Sequence, residues 1–467
     1  MSYSKKISTD QWSSRLTFIL AATGSAVGLG NIWKFPYMVG ENGGAAFVLL
    51  YLVCIALVGI PILKSELIIG RRGGQSPGES FAGLARKEDS SPKWAVVGWA
   101  GALSCFIVLS FYSVIGGWSI FYFVNAVTHS IGADQEAVTN TFNTLIAKDW
   151  QANVIYHTLF IVLVAVVVLG GIRKGIERLV SVVMPAMLLI LIGLLVYAAT
   201  LPGFYDALTY MFNPDFAALA YNNGEFSWGR LGQVTLSALG HSFFTLSVGF
   251  SVMVAYASHL PKNVSIPNTA LTIGVLDTAV ALIAGVAIYS IVFSDASLTP
   301  NAGPGLVFMT IPQAFLNIPA GQYLEIIFFL LLWLAAWTSA LSLLEPPVEI
   351  AMSVLKIKRV PATILMTTLI WAVGLLSALS YNELSEVTIA GEAILDFLSN
   401  FTDKVLLPIT GLLVAIFSGW VMGMNSTTKE LGGYGPVYIY WRICVRIIAP
   451  IAISMIFVAG VNEWLFS

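Results

Sequence analysis

Three stretches of this sequence carry polar groups where a membrane-length helix would normally be apolar throughout. The first is Gly24-Ser25-Ala26-Val27-Gly28-Leu29-Gly30-Asn31, in the middle of an apolar run from Leu16 to Met38. Its glycines and Asn31 are poor helix material. The second is Phe243 to Ser251, where Thr245, Ser247, Gly249 and Ser251 interrupt another apolar run near its centre. The third is a lone carboxylate, Asp277, inside Thr272 to Ala281. Irregular backbone at mid-membrane depth is tolerated only where it is buried in protein or lines a cavity, and its freed carbonyls and amides are then open to a ligand. A carboxylate at a helix centre costs roughly 2.5–3.5 kcal/mol on insertion scales, so it calls for a cation partner. Carbonyl and hydroxyl dipoles plus a negative charge are what a dehydrated alkali cation needs in a low-dielectric core. Each stretch alone also has a plainer reading. Small residues give tight helix packing, and Asp277 could sit protonated and hydrogen-bonded.

The elements that must hold these groups are membrane helices. The chain of 467 residues is 57% hydrophobic and 10% charged, with mean hydropathy +0.83, where soluble domains carry about 25% charged residues. Runs long enough to span, at ~20 residues each, fall near 16–38, 44–69, 95–128, 153–171, 177–201, 233–258, 267–293, 322–355, 361–380, 392–424 and 434–462, eleven in all. The first ten residues are polar and no cleavable signal peptide is visible. With the N-terminus cytoplasmic, only Lys34, Lys148, Arg230 and Lys404 of the 23 Lys and Arg fall on the outer side. That bias fixes an N-terminus inside and a C-terminus outside a bacterial inner membrane. The longest connections, 129–152, 202–232 and 294–321, are then outer and read as ordered caps over a vestibule. Cys54, Cys105 and Cys444 lie in apolar stretches and read as buried free thiols. A net charge of −2 offers nothing to nucleic acid, and no obligate protein partner is inferred.

The two interrupted spans are the first and the sixth. Five helices per unit is an odd number, so the second unit must be inverted relative to the first. Interrupted helices at corresponding places in inverted halves point to a transporter site at the midplane. The expected architecture is therefore all-α, with 16–201 and 233–424 as the two repeats and 434–462 as an eleventh helix.

Arg15-Leu16, then Gly24 through Asn31-Ile32-Trp33-Lys34-Phe35-Pro36, then Glu41-Asn42-Gly43-Gly44 resembles the neurotransmitter:sodium symporter family. Phe243 to Ser247, Thr338-Ser339 and Gly171 to Glu177 extend the resemblance over essentially the whole chain. It implies a leucine-transporter-like fold, discontinuous first and sixth helices, and two sodium sites. One sodium would meet the carbonyls of Ala26 and Thr245, the side chains of Asn31, Thr245 and Asp277, and the substrate carboxylate. The other would meet the carbonyls of Gly24, Val27 and Ala335 and the hydroxyls of Thr338 and Ser339. The substrate carboxylate would meet amides around Ala26 and Gly30 and the hydroxyl of Tyr112. Its amino group would meet carbonyls near Ser25 and Phe244, with Phe244 closing the pocket. Val108, Ser247, Phe250, Ser339, Ala340 and Leu343 would line the side-chain pocket. Amine-carrying relatives have an Asp where Gly28 stands, so the resemblance favours a neutral amino acid that brings its own carboxylate. The apolar lining favours a hydrophobic or aromatic one. Asp277 stands where many relatives have Asn and recruit chloride, which implies transport without chloride.

Some family positions are altered. Lys34 takes the basic place of the outer gate. Ser399 falls at the acidic place, which leaves Asp396, a helical turn earlier, as the candidate partner. Thr9 and Ser353 stand where an inner charged pair is usual, leaving Lys5, Lys6, Glu345 and Glu349 as candidates. His241, replacing a common Gln, reads as packed and hydrogen-bonded. Gly175 and Pro185 resemble a device for unwinding the fifth span, or form a plain proline kink. Two rival readings keep the fold: a non-transporting amino-acid sensor, and a proton-coupled or exchanging carrier. No nucleophile–base pair or metal cluster suggests an enzyme.

Overall fold

A computed structural model describes residues 11–222, 225–295, 297–298 and 303–466. Among them, nine helices are long and apolar enough to cross a membrane. They are α3 (Ala45–Gly73), α4 (Pro92–Val127), α5 (Trp150–Leu169), α6 (Ile172–Ala198), α9 (Ile266–Val292), α10 (Gly321–Leu355), α11 (Arg359–Ala378), α12 (Ile394–Val421) and α13 (Pro436–Asn462). A tenth span is the pair α1 (Arg15–Ala26) and α2 (Gly30–Glu41), bent by 51° at its break. The stretch predicted as span six is α7 (Trp228–Thr245) and α8 (Val252–Ser258), with non-helical backbone between them.

Local sequence explains where these elements begin and break. Ser14 caps α1, accepting from the Thr17 amide at 3.1 Å while its own amide donates to the Thr17 hydroxyl at 3.2 Å. That reciprocal pair is a capping box. Both breaks fall at the glycine-bearing stretches. After Ala26 the backbone turns extended at Val27, with φ −73° and ψ 105°. Between α7 and α8, Ser247, Gly249 and Ser251 have φ of 52°, 86° and 58°. Left-handed serines are uncommon, and their neighbours must hold them there.

Several spans also contain wide π-type turns: Gly30–Lys34, Ile55–Gly59, Ile172–Glu177, Thr402–Leu406, Phe417–Val421 and Cys444–Ile448. A π-type turn inserts one residue and is common at functional places. The turn at Ile172–Glu177 contains Gly175, whose added Cβ would lie 2.0 Å from the Val167 carbonyl oxygen. Pro185 lies further along, inside α6.

The bundle is organised round α4 and α10, which pack extensively on each other. Their core contacts include Tyr122 against Phe329, with ring centroids 4.8 Å apart. Small residues set close approaches. A Cβ on Gly117 of α4 would lie 2.7–2.9 Å from the backbone of Tyr156 and His157 in α5.

Beyond the far ends of α2 and α7, the connections are folded. Helices Gln135–Ala147, Phe204–Phe212 and Thr310–Leu316 and the antiparallel pairs Tyr221–Asn222 with Glu225–Phe226 and Thr388–Ile389 with Glu392–Ala393 cover this face. Asp295 accepts from the Ser297 amide and hydroxyl and from Asn317. Those hydrogen bonds hold its carboxyl below the ordinary carboxylate range. All three cysteines are buried and free.

The close α4–α5 crossing has a measurable consequence. Gly117→Leu should lower the detergent-solubilised melting temperature by an amount corresponding to about 1–3 kcal/mol, the usual cost of overpacking. Gly193→Ala, whose Cβ would meet nothing within 4 Å, should leave it unchanged or raised.

Candidate functional site

The two broken helices meet at Asp277 of α9. Asn31 donates through Nδ2 to Asp277 Oδ1 at 2.8 Å and to the Asp277 carbonyl at 3.1 Å. Thr245 donates its hydroxyl to Asp277 Oδ2 at 2.9 Å. All three residues are fully buried. Asn31 Oδ1 also accepts from the Gly28 amide at 3.1 Å, so one side chain ties the break in α1–α2 to the carboxylate. No Lys, Arg or His among the described residues lies within ion-pair distance of Asp277. A buried carboxylate without a basic partner, ringed by amide and hydroxyl oxygens, is a donor set that fits a hard monovalent cation.

A second oxygen cluster lies nearby, between α1 and α10. Ser339 Oγ is 3.3, 3.1 and 3.2 Å from the carbonyl oxygens of Gly24, Ser25 and Val27. One hydroxyl proton cannot satisfy three acceptors. Thr338, in the preceding position, turns its hydroxyl to the carbonyls of Leu334 and Ala335 at 3.2 and 3.1 Å. Carbonyls of Gly24, Val27 and Ala335 and hydroxyls of Thr338 and Ser339 thus lie together, again an all-oxygen set that fits a hard cation.

Between the two clusters is an enclosed cavity of about 30 Å³. Ser25, Ala26, Gly28, Gly30, Val108, Tyr112, Phe244, Ser247, Phe250, Ser339 and Leu343 contribute to its wall, and Leu29 adds to it. Ala340, expected there, is fully buried but does not line it. Gly28 is required by close approach: a Cβ there would come within 2.3 Å of Ser339 Oγ and 3.1 Å of the Tyr112 hydroxyl. The Leu29 amide donates to that hydroxyl at 3.4 Å. Ser247 donates to the Ser25 carbonyl at 3.1 Å, so the two breaks also touch directly.

Phe244 stands over the cavity, and Lys34 Nζ lies 4.5 Å from the centre of its ring. Beyond Phe244 a larger cavity of about 430 Å³ opens toward the far face, with Trp33, Trp118 and Phe308 in its wall. Here the structure corrects a sequence expectation. Lys34 pairs with Asp403 at 2.8 Å, not with Asp396. Asp396 instead accepts from the Tyr381 hydroxyl at 2.7 Å. The two acids lie seven residues apart on one face of α12, about 10 Å along the axis, and Lys34 emerges level with the deeper one.

His241 differs from expectation in a second way. It packs against Phe35 and Tyr51, at 5.8 and 5.3 Å between ring centres. Neither ring nitrogen, however, has a hydrogen-bond partner among the described residues. Glu66, not singled out in the sequence, is also part of the site. It is fully buried on α3 and accepts from the Gly249 amide at 2.7 Å, holding the left-handed stretch after α7. An acid inside the apolar run 44–69 was the signal for it.

At the N-terminal face, Thr9, Lys5 and Lys6 lie outside the described residues. Ser353 bonds Ser76, at 3.2 Å between hydroxyls. Glu345 pairs with Arg359, and Glu349 lies 3.1 Å from His259 Nε2.

A many-span helical bundle with two broken helices around a buried oxygen-lined pocket defines a multi-pass membrane transporter. Comparison with known proteins gives its family. The family model for sodium:neurotransmitter symporters matches residues 9–154 and 146–465. The chain is 36% identical over 451 residues to a sodium-dependent transporter of Bacillus subtilis, covering 96% of both chains. It is 33% identical over 458 residues to one of Haemophilus influenzae, covering 96% of this chain and 97% of that one. The crystal structure of MhsT in complex with L-phenylalanine superposes with a TM-score of 0.86 at 40% identity, covering 97% of this chain and 99% of that one. The chain belongs to the sodium:neurotransmitter symporter family. It is a sodium-dependent transporter, as its relatives are, and not an enzyme.

The Lys34–Asp403 contact is about a quarter exposed on both sides, so its static worth is small, roughly 0.2–1 kcal/mol. Asp403→Asn should weaken sodium-dependent substrate binding about two- to fivefold, measured by scintillation proximity, whereas Asp396→Asn should leave it within error.

Proposed function

We infer that the chain couples inward sodium flow to the uptake of a neutral amino acid, with a hydrophobic or aromatic side chain favoured. Transport proceeds by alternating access through eleven spans, arranged as inverted repeats over 16–201 and 233–424 with a closing helix at 434–462. The observation that carries this reading is the convergence of Asn31, Thr245 and Asp277 from two broken helices and α9 around a buried charge without a basic partner. The amino-acid assignment is supported by the phenylalanine complex of MhsT and by Gly28, where no side chain is present to meet a substrate amine.

In this reading two sodium ions are carried. Ala26, Asn31, Thr245 and Asp277 hold the first together with the substrate carboxylate. Gly24, Val27, Ala335, Thr338 and Ser339 hold the second. Tyr112 donates to the carboxylate, and Ser25 and Phe244 offer carbonyls to the ammonium. Val108, Ser247, Phe250 and Leu343 contact the side chain. The cavity has room for about two water molecules, so an aromatic substrate requires Phe244 and Phe250 to move apart. Lys34 and Asp403 form the gate above Phe244. Asp277 supplies the fixed negative charge that relatives obtain from chloride. The protein lies in the bacterial cell membrane with its N-terminus inside. The hydroxyls of Thr338 and Ser339 favour sodium over protons as the driving ion.

Purified protein in liposomes should accumulate one or more neutral amino acids when sodium is supplied outside. Absence of sodium-dependent uptake or binding for all twenty would overturn the reading. Replacing chloride with gluconate should leave uptake undiminished, and a steep loss would remove Asp277 from its charge-balancing role. Asp277→Asn should abolish uptake in gluconate and restore part of it in chloride.

A further inference from the structure

The N-terminal face carries a buried pair that the transport site does not use. His259, at the end of α8, and Glu349 of α10 are 4% and 5% exposed and 3.1 Å apart. The same residue anchors the chain's entry into the bundle. The Trp12 amide donates to the His259 carbonyl at 3.4 Å. The Trp12 indole donates to the Tyr256 carbonyl at 2.9 Å. Trp12 itself is buried against Phe18 and Tyr256. His259 and Glu349 therefore join three elements that must separate if this face is to open: the segment entering α1, the end of α8, and α10.

The surrounding charges are already committed. Glu345 pairs with Arg359 between α10 and α11. From α3, Arg71 pairs with Glu430 and donates to the Val264 carbonyl, while Glu66 accepts from Gly249. Arg15 of α1 donates to Thr269 of α9. Glu177, at the start of α6, accepts from the Ser13 amide at 3.2 Å. Tyr256 and Cys105 are the remaining titratable neighbours, and Lys262 is exposed. With the other ions paired or hydrogen-bonded, the His259–Glu349 pair is electrically neutral only when it holds one proton. Losing that proton leaves a net negative charge in a water-excluded contact, which is costly. Opening the face to water removes the cost.

We propose that His259 and Glu349 form a proton-binding latch that holds the N-terminal face shut while it carries one proton and releases it when that proton leaves. The ligand is the proton, taken from the compartment that this face meets, the cytoplasm in the orientation given above. The sign follows from the proton count. The closed state binds more protons than the open one, so acid favours closure and alkali favours opening. Because one side of the pair is a histidine, the change falls near neutral pH. The proposal rests on the alternating-access reading, but its test needs no substrate.

Hydrogen–deuterium exchange of the full chain in nanodiscs reads the latch directly. After correction for intrinsic exchange, peptides covering 11–26 and 252–260 should exchange about five- to tenfold more slowly at about pH 6 than at about pH 8, within the limit for one linked proton. Glu349→Gln and His259→Gln should bring that ratio to within about twofold of unity. His259→Lys, a fixed cation beside Glu349, should give slow exchange at both pH values. Wild-type exchange without this pH dependence, or a Glu349→Gln variant that keeps it, would overturn the proposal. Failure of sodium-driven uptake would instead count against the transport reading and leave the exchange result standing. Where uptake is measured, acidifying the liposome lumen over the same range should slow the wild type severalfold and Glu349→Gln little.

Discussion

The structure depends on one electrostatic fact: a carboxylate at the middle of α9 has no basic side chain to meet it. Asp277 can be ionised there only because Asn31 and Thr245 turn donors toward it from helices that stop short of crossing the membrane whole. A continuous helix would tie up its own carbonyls and keep its side chains at fixed angles. Breaking α1–α2 and α7–α8 frees backbone oxygens beside the charge, and the breaks in turn need support. Glu66 holds Gly249, Ser247 bonds Ser25, and Asn31 bonds the Gly28 amide. The polar interior is thus a connected set in which each irregular segment is held by another.

Much of this was legible in the sequence because glycines, hydroxyls and a lone acid stand out against an apolar background. Gly24 to Asn31, Thr245 to Ser251 and Asp277 could be singled out by type and position alone, and the family resemblance gave each a role. What could not be read was depth. Asp396 and Asp403 share a face of α12, and only three-dimensional packing decides which one Lys34 meets. Glu66 was passed over because an acid near a helix end is ordinary, and nothing in the sequence says that it reaches a left-handed turn 183 residues away. The fit of His241 was half legible. Its burial followed from its neighbours, but the absence of a hydrogen-bond partner depended on what faced it.

The two faces of the bundle are closed by different chemistry. Toward the far face, Lys34 and Asp403 are partly solvated, and the lysine also rests over the Phe244 ring. At the other face, a histidine and a glutamate are sealed from water beneath Trp12. A half-wet ion pair exchanges partners at little cost, whereas a dry one is held strongly until water enters. The aromatic residues beside each pair therefore do more than fill space: Phe244 and Trp12 set how much water each closure admits.

The wide turns in six places along these helices have a genetic consequence. Each holds one residue more than an α-helical turn needs. Deleting a single codon within Thr402–Leu406 would let that stretch relax to ordinary α geometry and rotate everything beyond it by about 100°. The helix would survive, but the residues it offers to the bundle would change. Length changes of one residue, normally ruinous within a packed span, are here a route by which descendants of this chain can exchange one inward-facing side chain for its neighbour.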